Sequence, residues 1–461
     1  MRLFIFLFLS FFVGKLFSQN IDSSQTKSSI IISNIIVSGN KKTKTNIVLR
    51  EMLFKNGDTI ATNKLDELIE TSRQLIFNTT LFVDVTIHSA KLNNNEVSII
   101  VLVKERWYLF PMPYFRLVDR NFNEWWVNQN HSLERVDYGI KFYHNNLSGN
   151  NDKLTIDLIT GYSRQIGLRY SLPFINKKMT NGINFGFIYS KQKEVNYATS
   201  NENKLLFVKA VDSFLKNFTR VDFTFTNRPN LFLRHNFRIA YTSENIDSIV
   251  AAKNPNYYGN TQTELKYIDL SYNLSYSKNN YNAYPTQGFS GSIGASARIF
   301  SGSNNIFSIG AFATLSTTLS KKMFMRNRAG ATIKLPFTTA YINEPLFGYN
   351  PYQMRGLEYY VVDGVAGLLH KFTLGYQLFD FSVKTPFKKA AYQKIPFKIY
   401  AKVYNDFGYS YKPNATTLLN NKLMHGYGFG FDILTIYDII FKFEYSFNQF
   451  GNSGLYFGIR D

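Results

Sequence analysis

The 461-residue chain contains no cysteine. That excludes disulfide cross-links, cysteine-based metal sites, a thiol nucleophile and a lipid-modified N-terminal cysteine. The six histidines are scattered, and neither a G-x-S-x-G elbow nor a phosphate-binding loop occurs. The chain is therefore not expected to be an enzyme, to use a cofactor or metal, or to draw on a nucleotide for energy. Beyond the N-terminus there is no long uncharged apolar run. A bilayer-crossing helix needs about 20 such residues, so a chain of this kind that crosses a membrane must do so with strands. Acidic residues are few, 32 against 52 basic ones, for a formal net charge of +20. In the cytosol that excess would suggest nucleic acid. The N-terminus argues against that compartment, and the base is assigned instead to anionic lipid head groups or to a lumen. A solvated basic surface explains any single lysine equally well.

Aromatic residues are plentiful: 43 Phe and 31 Tyr, at a mean hydropathy of only −0.18. Many rings at neutral hydropathy imply apolar and polar residues in alternation, as in a barrel whose strands face lipid and lumen by turns. A large soluble all-β protein fits the composition as well.

Residues 1–18 read as a signal peptide, with Arg2 ahead of an apolar core from Leu3 to Val13, and 19–29 as a flexible lead. A small α+β unit follows over 30–106. Ile30–Val37 is strand-like, Thr45–Phe54 a short helix broken at Gly57-Asp58, and Thr62 or Asn63 the cap of a second helix. In that helix Leu65, Leu68, Ile69 and Ile76 share a face. Leu81, Val83, Val85 and Ile87 alternate inward along Leu81–His88, and Val97, Ile99, Val101 and Val103 alternate again. From Trp107 on, the helical period is lost. About sixteen alternating segments follow, centred near Tyr108, Val136, Leu154, Ile166, Ile183, Phe218, Phe232, Ile268, Phe289, Phe307, Met325, Phe372, Ile399, Phe429, Phe441 and Phe457. Lys204–Ala210 is assigned to a loop, because single-chain bacterial barrels have even strand numbers. The expected class is mainly β: the α+β unit, then a 16-stranded antiparallel transmembrane barrel over 107–461. Long connections at 118–133, 194–217, 244–263, 336–369 and 411–424 fall at one end; short ones at 173–180, 227–230 and 319–322 fall at the other. Two places break this asymmetry, a short connection near Ser163 and a longer one near 382–395.

The longest connection holds Pro351–Gly364, read PYQMRGLEYYVVDG, and a loop of that length needs a reason. Parity on strand thirteen turns Phe397, Ile399, Ala401 and Val403 to lipid and Lys398, Tyr400, Lys402, Tyr404 and Asp406 to the lumen. A carboxylate on the inner wall requires a partner.

The 30–106 unit resembles a POTRA (polypeptide-transport-associated) domain. The resemblance rests on Ile35-x-Val37-x-Gly39-Asn40, Gly57-Asp58, Leu81-Phe82-x-x-Val85 and Val103-Lys104-Glu105-Arg106. The barrel segment resembles the BamA/TamA barrel-assembly family, also described as POTRA plus bacterial surface antigen. Met354-Arg355-Gly356-Leu357 is similar to its V/I-R-G-F/Y loop signature, and Tyr404-Asn405-Asp406-Phe407-Gly408 to its F-x-D-x-G motif. Tyr284-Pro285-Thr286-Gln287-Gly288 is similar to its P-x-x-G turn, and Gly426-x-Gly428-x-Gly430 to its glycine-rich strand. Met354 and Leu357 depart from the usual loop residues, the terminal aromatic of many outer-membrane barrels is missing, and there is one POTRA unit where assembly proteins often have several. The resemblance implies a loop lock of Arg355, Gly356, Asp406 and Gly408. It also implies an edge strand, with Phe82, Asp84, Val85 and Ile87, that takes up extended clients by β-augmentation, where a plain spacer is the alternative. The first strand carries Pro111 and Pro113, which remove two donors from one edge. If that edge meets the last strand, Tyr108, Pro111, Pro113, Tyr456 and Gly458 mark a weak lateral seam; the prolines fit a linker below the membrane equally well.

The function so implied is assembly or translocation of unfolded outer-membrane or secreted polypeptides. It is set in a bacterial outer membrane with the POTRA unit in the periplasm, in contact with lipid and accessory lipoproteins and without nucleic acid. A two-partner-type secretion pore and a structural or porin barrel are the alternatives.

Overall fold

The computed structural model describes residues 29–93, 95–117, 133, 136–210, 212–300, 305–349, 351–386 and 393–459. The expected signal peptide, nearly all of the lead and most of the 118–133 connection lie outside them.

The N-terminal unit runs β1 (Ser29–Ser38), α1 (Thr45–Leu49), β2 (Thr59–Ala61), α2 (Leu65–Phe77), β3 (Phe82–Lys91) and β4 (Glu96–Glu105). Its sheet has the order β2-β1-β4-β3, with β1 parallel to β4. Alternation along β4 drives Val97, Ile99, Val101 and Val103 into a core closed by Leu65 and Ile76 of α2. Two expectations need correction. The first helix ends at Leu49, and α2 is entered through a 3-10 turn over Thr62–Lys64 with no side-chain cap at Lys64. On β3 a bulge between Phe82 and Asp84 shifts the alternation, so Phe82 and Val85 enter the core while Asp84 stays exposed. A bulge spends one residue without advancing the ladder, so Phe82 joins Leu81 in the core and Val83 does not.

The barrel strands are β5 (Leu109–Leu117), β6 (Val136–Asn145), β7 (Lys153–Gly161), β8 (Arg164–Leu172), β9 (Asn181–Gln192), β12 (Lys216–Asn227), β13 (Leu233–Ile246), β14 (Glu264–Asn279), β15 (Gly288–Phe300), β16 (Ile306–Thr318), β17 (Met323–Leu335), β20 (Ala366–Lys384), β21 (Lys394–Tyr411), β22 (Leu423–Leu434), β23 (Ile440–Asn448) and β24 (Ser453–Ile459). They form one 16-stranded antiparallel sheet in chain order. Two hairpins stand outside it: β10 (Glu194–Thr199) with β11 (Leu205–Lys209), and β18 (Pro345–Phe347) with β19 (Val362–Asp363). The segment assigned to a loop, Lys204–Ala210, thus pairs as β11 without entering the barrel, and the even strand count holds.

Period-two patterning sorts the strands into an apolar outside and a polar inside. Val403, Phe429, Phe431 and Phe443 are exposed, while Lys402, Asp406, Asp432 and Lys442 on the alternate positions are buried. No helix among the described residues is long and apolar enough to cross a membrane. The N-terminal unit sits at the end where most connections are short. The opposite end carries β10–β11, the helix α3 (Ser248–Lys253), β18–β19 and the 412–422 loop.

Candidate functional site: a locked wall and an unlaced seam

The connection between β17 and β20 folds back against β20–β23. Leu346, Phe347, Tyr352, Met354 and Leu357 pack there with Leu369, Leu419 and Met424. This apolar seat holds Arg355 over the wall. Its Nε donates to Asp406 Oδ2 at 2.9 Å, its Nη2 to Asp406 Oδ1, and its backbone N–H to Oδ2 at 3.1 Å. The remaining guanidinium donors reach Thr373 Oγ1 and the Phe372 carbonyl, both at 3.1 Å. The Tyr404 ring lies 4.1 Å from the guanidinium carbon, close enough for a cation–π contact. Asp406 is 0 % exposed. A fully buried carboxylate met bidentately, with nearly all donors used, is the arrangement in which a buried pair holds rather than merely breaks even.

Two glycines let the loop approach. Gly356 adopts φ +84°, and a Cβ there would lie 2.4 Å from the Phe447 carbonyl oxygen; a Cβ on Gly426 would lie 1.9 Å from the Arg355 carbonyl oxygen. Asn448 donates to the Gly356 carbonyl at 3.0 Å. Gly408 faces the Met354 sulfur, 2.4 Å from its would-be Cβ. Met354 and Leu357, which depart from the family-like pattern, are both core residues of the seat. The four residues expected at the lock are therefore brought together.

Two further elements reach over or into the lumen, and sequence reasoning gave them no role. At the tip of β10–β11, Asn203 is 0 % exposed. It exchanges bonds with the Val361 backbone, and its Oδ1 accepts from Leu419 N at 2.8 Å. One asparagine thereby joins the hairpin, the lock loop and the 412–422 loop into a cap. A lone Asn in a polar turn gives no sequence signal. At the POTRA end, the β14–β15 turn inserts Tyr284, whose hydroxyl donates to Asp432 Oδ2 at 2.8 Å on β22. Its ring packs on Phe324 and Tyr400. The motif containing Tyr284 was legible; that its aromatic crosses the lumen was not.

The sheet has two ends, β5 and β24, left without a second strand partner among the described residues. Among the described residues no ladder pair joins β24 to β5. Asn145 N donates to the Tyr108 carbonyl at 2.7 Å, so Tyr108 and every second residue after it direct their backbone groups to β6. Pro111 and Pro113 have the opposite parity, in unbroken register with Phe142 and Ile140. Their nitrogens therefore face away from β6, along the free edge. Phe115 on β5 and Phe457 on β24 are 62 % and 60 % exposed, and a Cβ on Gly458 would meet nothing within 4 Å. Tyr456 turns to the lumen side, its ring 5.7 Å from that of Tyr359 on the lock loop. Tyr108 is a correction: its side chain is buried in the POTRA core, bonded to Thr43 Oγ1 and the Leu81 carbonyl. It belongs to the domain junction, because it precedes β5 and the POTRA core offers its ring more apolar surface than an edge would.

The POTRA unit spans the near end of the barrel. Arg228 clamps Glu51 with bonds of 2.6 and 2.8 Å. Arg106 clamps Asp438 at 2.8 and 3.1 Å, and Asn78 bonds both Asn279 and Asn282. Between α2 and the barrel wall lies a polar cavity of about 1150 Å³, bordered by Glu67, Gln74, Asn184 and Arg234. The outer edge of β3 pairs with no strand among the described residues. Asp84 lies on its exposed face and Ile87 is half-buried. Phe82 and Val85 point into the core, so what the edge offers is its free backbone and not these two side chains.

These features define a class: a POTRA domain joined to a 16-stranded antiparallel barrel with a loop locked inside it. Residues 30–106 match the POTRA family model, described as surface antigen variable number repeat. A comparison with curated proteins finds no match. Among solved structures, CdiB from Escherichia coli is similar with a TM-score of 0.51 at 9 % identity, over 96 % of this chain and 92 % of that one. BamA from Haemophilus ducreyi lacking POTRA domains 1–3 gives a TM-score of 0.49 at 15 % identity, over 95 % and 84 %. The architecture expected from the BamA/TamA-type resemblance, POTRA plus a 16-stranded barrel, is present.

Proposed function

We propose that the protein is an outer-membrane assembly factor. In this reading it receives unfolded polypeptides on the POTRA side and delivers β-rich ones into the bilayer through the β5–β24 junction. The observation that carries the reading is the contrast around the sheet. Loops and an inserted turn occupy the lumen, whereas β5 and β24 present unpaired edges beside lipid. An edge with free N–H and C=O groups is a template for another strand, and two such edges facing one another offer a client strand both partners. Energy comes from client folding and burial, since the chain has no phosphate-binding loop. The free edge of β3 supports reception of extended segments in the periplasm, with anionic lipid and accessory lipoproteins as further partners.

A second reading, a polypeptide secretion pore, is favoured by the cavity between α2 and the wall, which suits a chain held before passage. Photo-crosslinking in cells from Phe115 and Phe457 separates the two. The assembly reading expects adducts with nascent barrels at both positions. Adducts with one soluble exported protein move the assignment to the pore. Capture of no client, together with cross-linking of the two positions to each other, leaves a static barrel.

A further inference from the structure

Strands β20 and β21 outrun their neighbours. Pairing of β20 with β17 stops at Tyr376, and pairing of β21 with β22 stops at Lys398. Among the described residues, β20 from Gln377 and β21 from Phe397 pair only with each other, down to Lys384 and Lys394. The part in which both outer edges are bare, Phe381–Lys384 against Lys394–Phe397, is a two-stranded ribbon about 13 Å long at ~3.3 Å per residue, projecting on the POTRA side of the barrel. A bulge at Leu378 resets the register. Below it, Phe379, Phe381, Val383, Ile395 and Phe397 share the face that higher up belongs to Val403 and Tyr376, the barrel's outward face. Phe381 and Phe397 stack at 5.5 Å, and Phe379 is 59 % exposed. The other face carries Ser382, Lys384 and Lys394 and the ion pair Asp380–Lys398. Lys321 and Lys322 close the adjoining β16–β17 turn, whose Lys322 carbonyl accepts from Gln377 N.

Two physical demands conflict here. Both ribbon edges leave backbone groups unpaired, which the hydrocarbon core does not tolerate. In bulk water a lone ribbon is marginal, and its apolar face would stand unprotected. The head-group zone meets both demands: water and phosphate satisfy the edges, aromatic side chains settle at that depth, and lysines find anionic partners. We propose that this ribbon is an interfacial anchor for anionic phospholipid in the leaflet on the POTRA side. The proposal rests on the reading of the chain as a membrane barrel, and it adds a lipid site that the barrel itself does not require.

Because the chain lacks cysteine, single-site labels are clean. The full chain is folded into phosphatidylcholine vesicles with and without phosphatidylglycerol, carrying a solvatochromic fluorophore at Val383→Cys or, as reference, at Phe429→Cys in the middle of β22. The expected result is that the Val383 probe is quenched by nitroxides at head-group depth, and the Phe429 probe by nitroxides deep in the acyl region. Removing phosphatidylglycerol, or introducing Lys384→Gln with Lys394→Gln, should weaken ribbon association, by roughly fivefold for each lysine neutralised. The heat-modified gel mobility of the folded barrel should not change. If aqueous iodide quenches the Val383 probe while the Phe429 probe remains deeply quenched, the ribbon stands in water as a face for a soluble protein, and the proposal fails alone. If the Phe429 probe is not deeply quenched, the membrane-barrel reading fails and the anchor with it.

Discussion

Strands β21 and β5 belong to the same sheet and end in opposite circumstances. β21 pairs on both sides, and its Asp406 is buried under a guanidinium with nearly all donors satisfied. Among the described residues β5 pairs on one side, and its other edge lacks two donors at Pro111 and Pro113. Pairing is thus distributed unevenly around a single ladder. The wall fixed by the loop lies only three strands from the edge strand β24. The lock loop also touches the seam, because Tyr359 meets Tyr456 and Asn452 donates to the Tyr360 hydroxyl at 3.1 Å.

The largest effect is expected where the locked side is broken directly. Arg355→Ala removes the bidentate partner of the buried Asp406 and leaves it only Lys371 Nζ, at 3.9 Å, as a counter-charge, which costs up to about 3–5 kcal/mol. The folded barrel should lose heat-modified mobility at a lower temperature, and Asp406→Asn in the same chain should recover part of the stability by removing the poorly compensated charge. A stable Arg355→Ala barrel whose melting is unchanged would show that the pair is incidental. Next comes Gly426→Ala. Its Cβ must displace the Arg355 carbonyl from 1.9 Å, at about 1–3 kcal/mol for overpacking. Trypsin should then cut after Arg355 with the β22 ladder intact by hydrogen exchange, which separates unseating of the loop from unfolding of the wall.

A smaller effect of opposite sign belongs to the loose side. Pro111→Ala with Pro113→Ala restores two donors on the free edge, each worth about 0.5–1.5 kcal/mol if β24 accepts them. Amide exchange along β24 should slow, and cross-linking of Phe457 to clients should fall. Faster exchange, or undiminished client capture, would mean that the prolines do not set the strength of the junction.

Much of this contrast is legible in the chain. Alternation yields the sixteen strands, because each buries one face and a period of two survives along almost all of them. Parity places Asp406 inside. What parity cannot see is an insertion: the bulge on β3 moves Phe82 into the core, and the one at Leu378 shifts the register of β20. Bonds made by a single turn residue are equally hidden. Asn203 and Tyr284 act at long sequence separation, through partners on Val361, Leu419 and Asp432 that local pattern does not link to them. Tyr108 is misread for a related reason: an aromatic just before a strand reads as part of it until the POTRA core competes for its ring.

The smallest predicted effect tests whether lock and seam communicate. Glu358 lies on the luminal loop, off the membrane-crossing strands, and burial raises its carboxyl from 4.5 to about 7. The Gly356 N–H donates to it at 3.0 Å. The charged groups that act on it are Glu444, which raises it further, and Lys371, which opposes the rise; Tyr456 on β24 is also in contact with it. A carboxyl whose folded value is raised favours the folded arrangement most when protonated. Its contribution is therefore complete below about pH 4.5 and is lost as pH rises through about 7. The loop tip should then hold β24 more tightly in acid than in base. Partial contact with lumen water makes the effect modest. Spin labels at Gln353→Cys and Leu455→Cys should give a distance distribution that broadens between pH 5 and pH 8, across the window set by 4.5 and about 7. Glu358→Gln, neutral throughout, should keep it narrow. A wild-type distribution that does not change across that range would leave the lock and the seam as independent halves of one sheet.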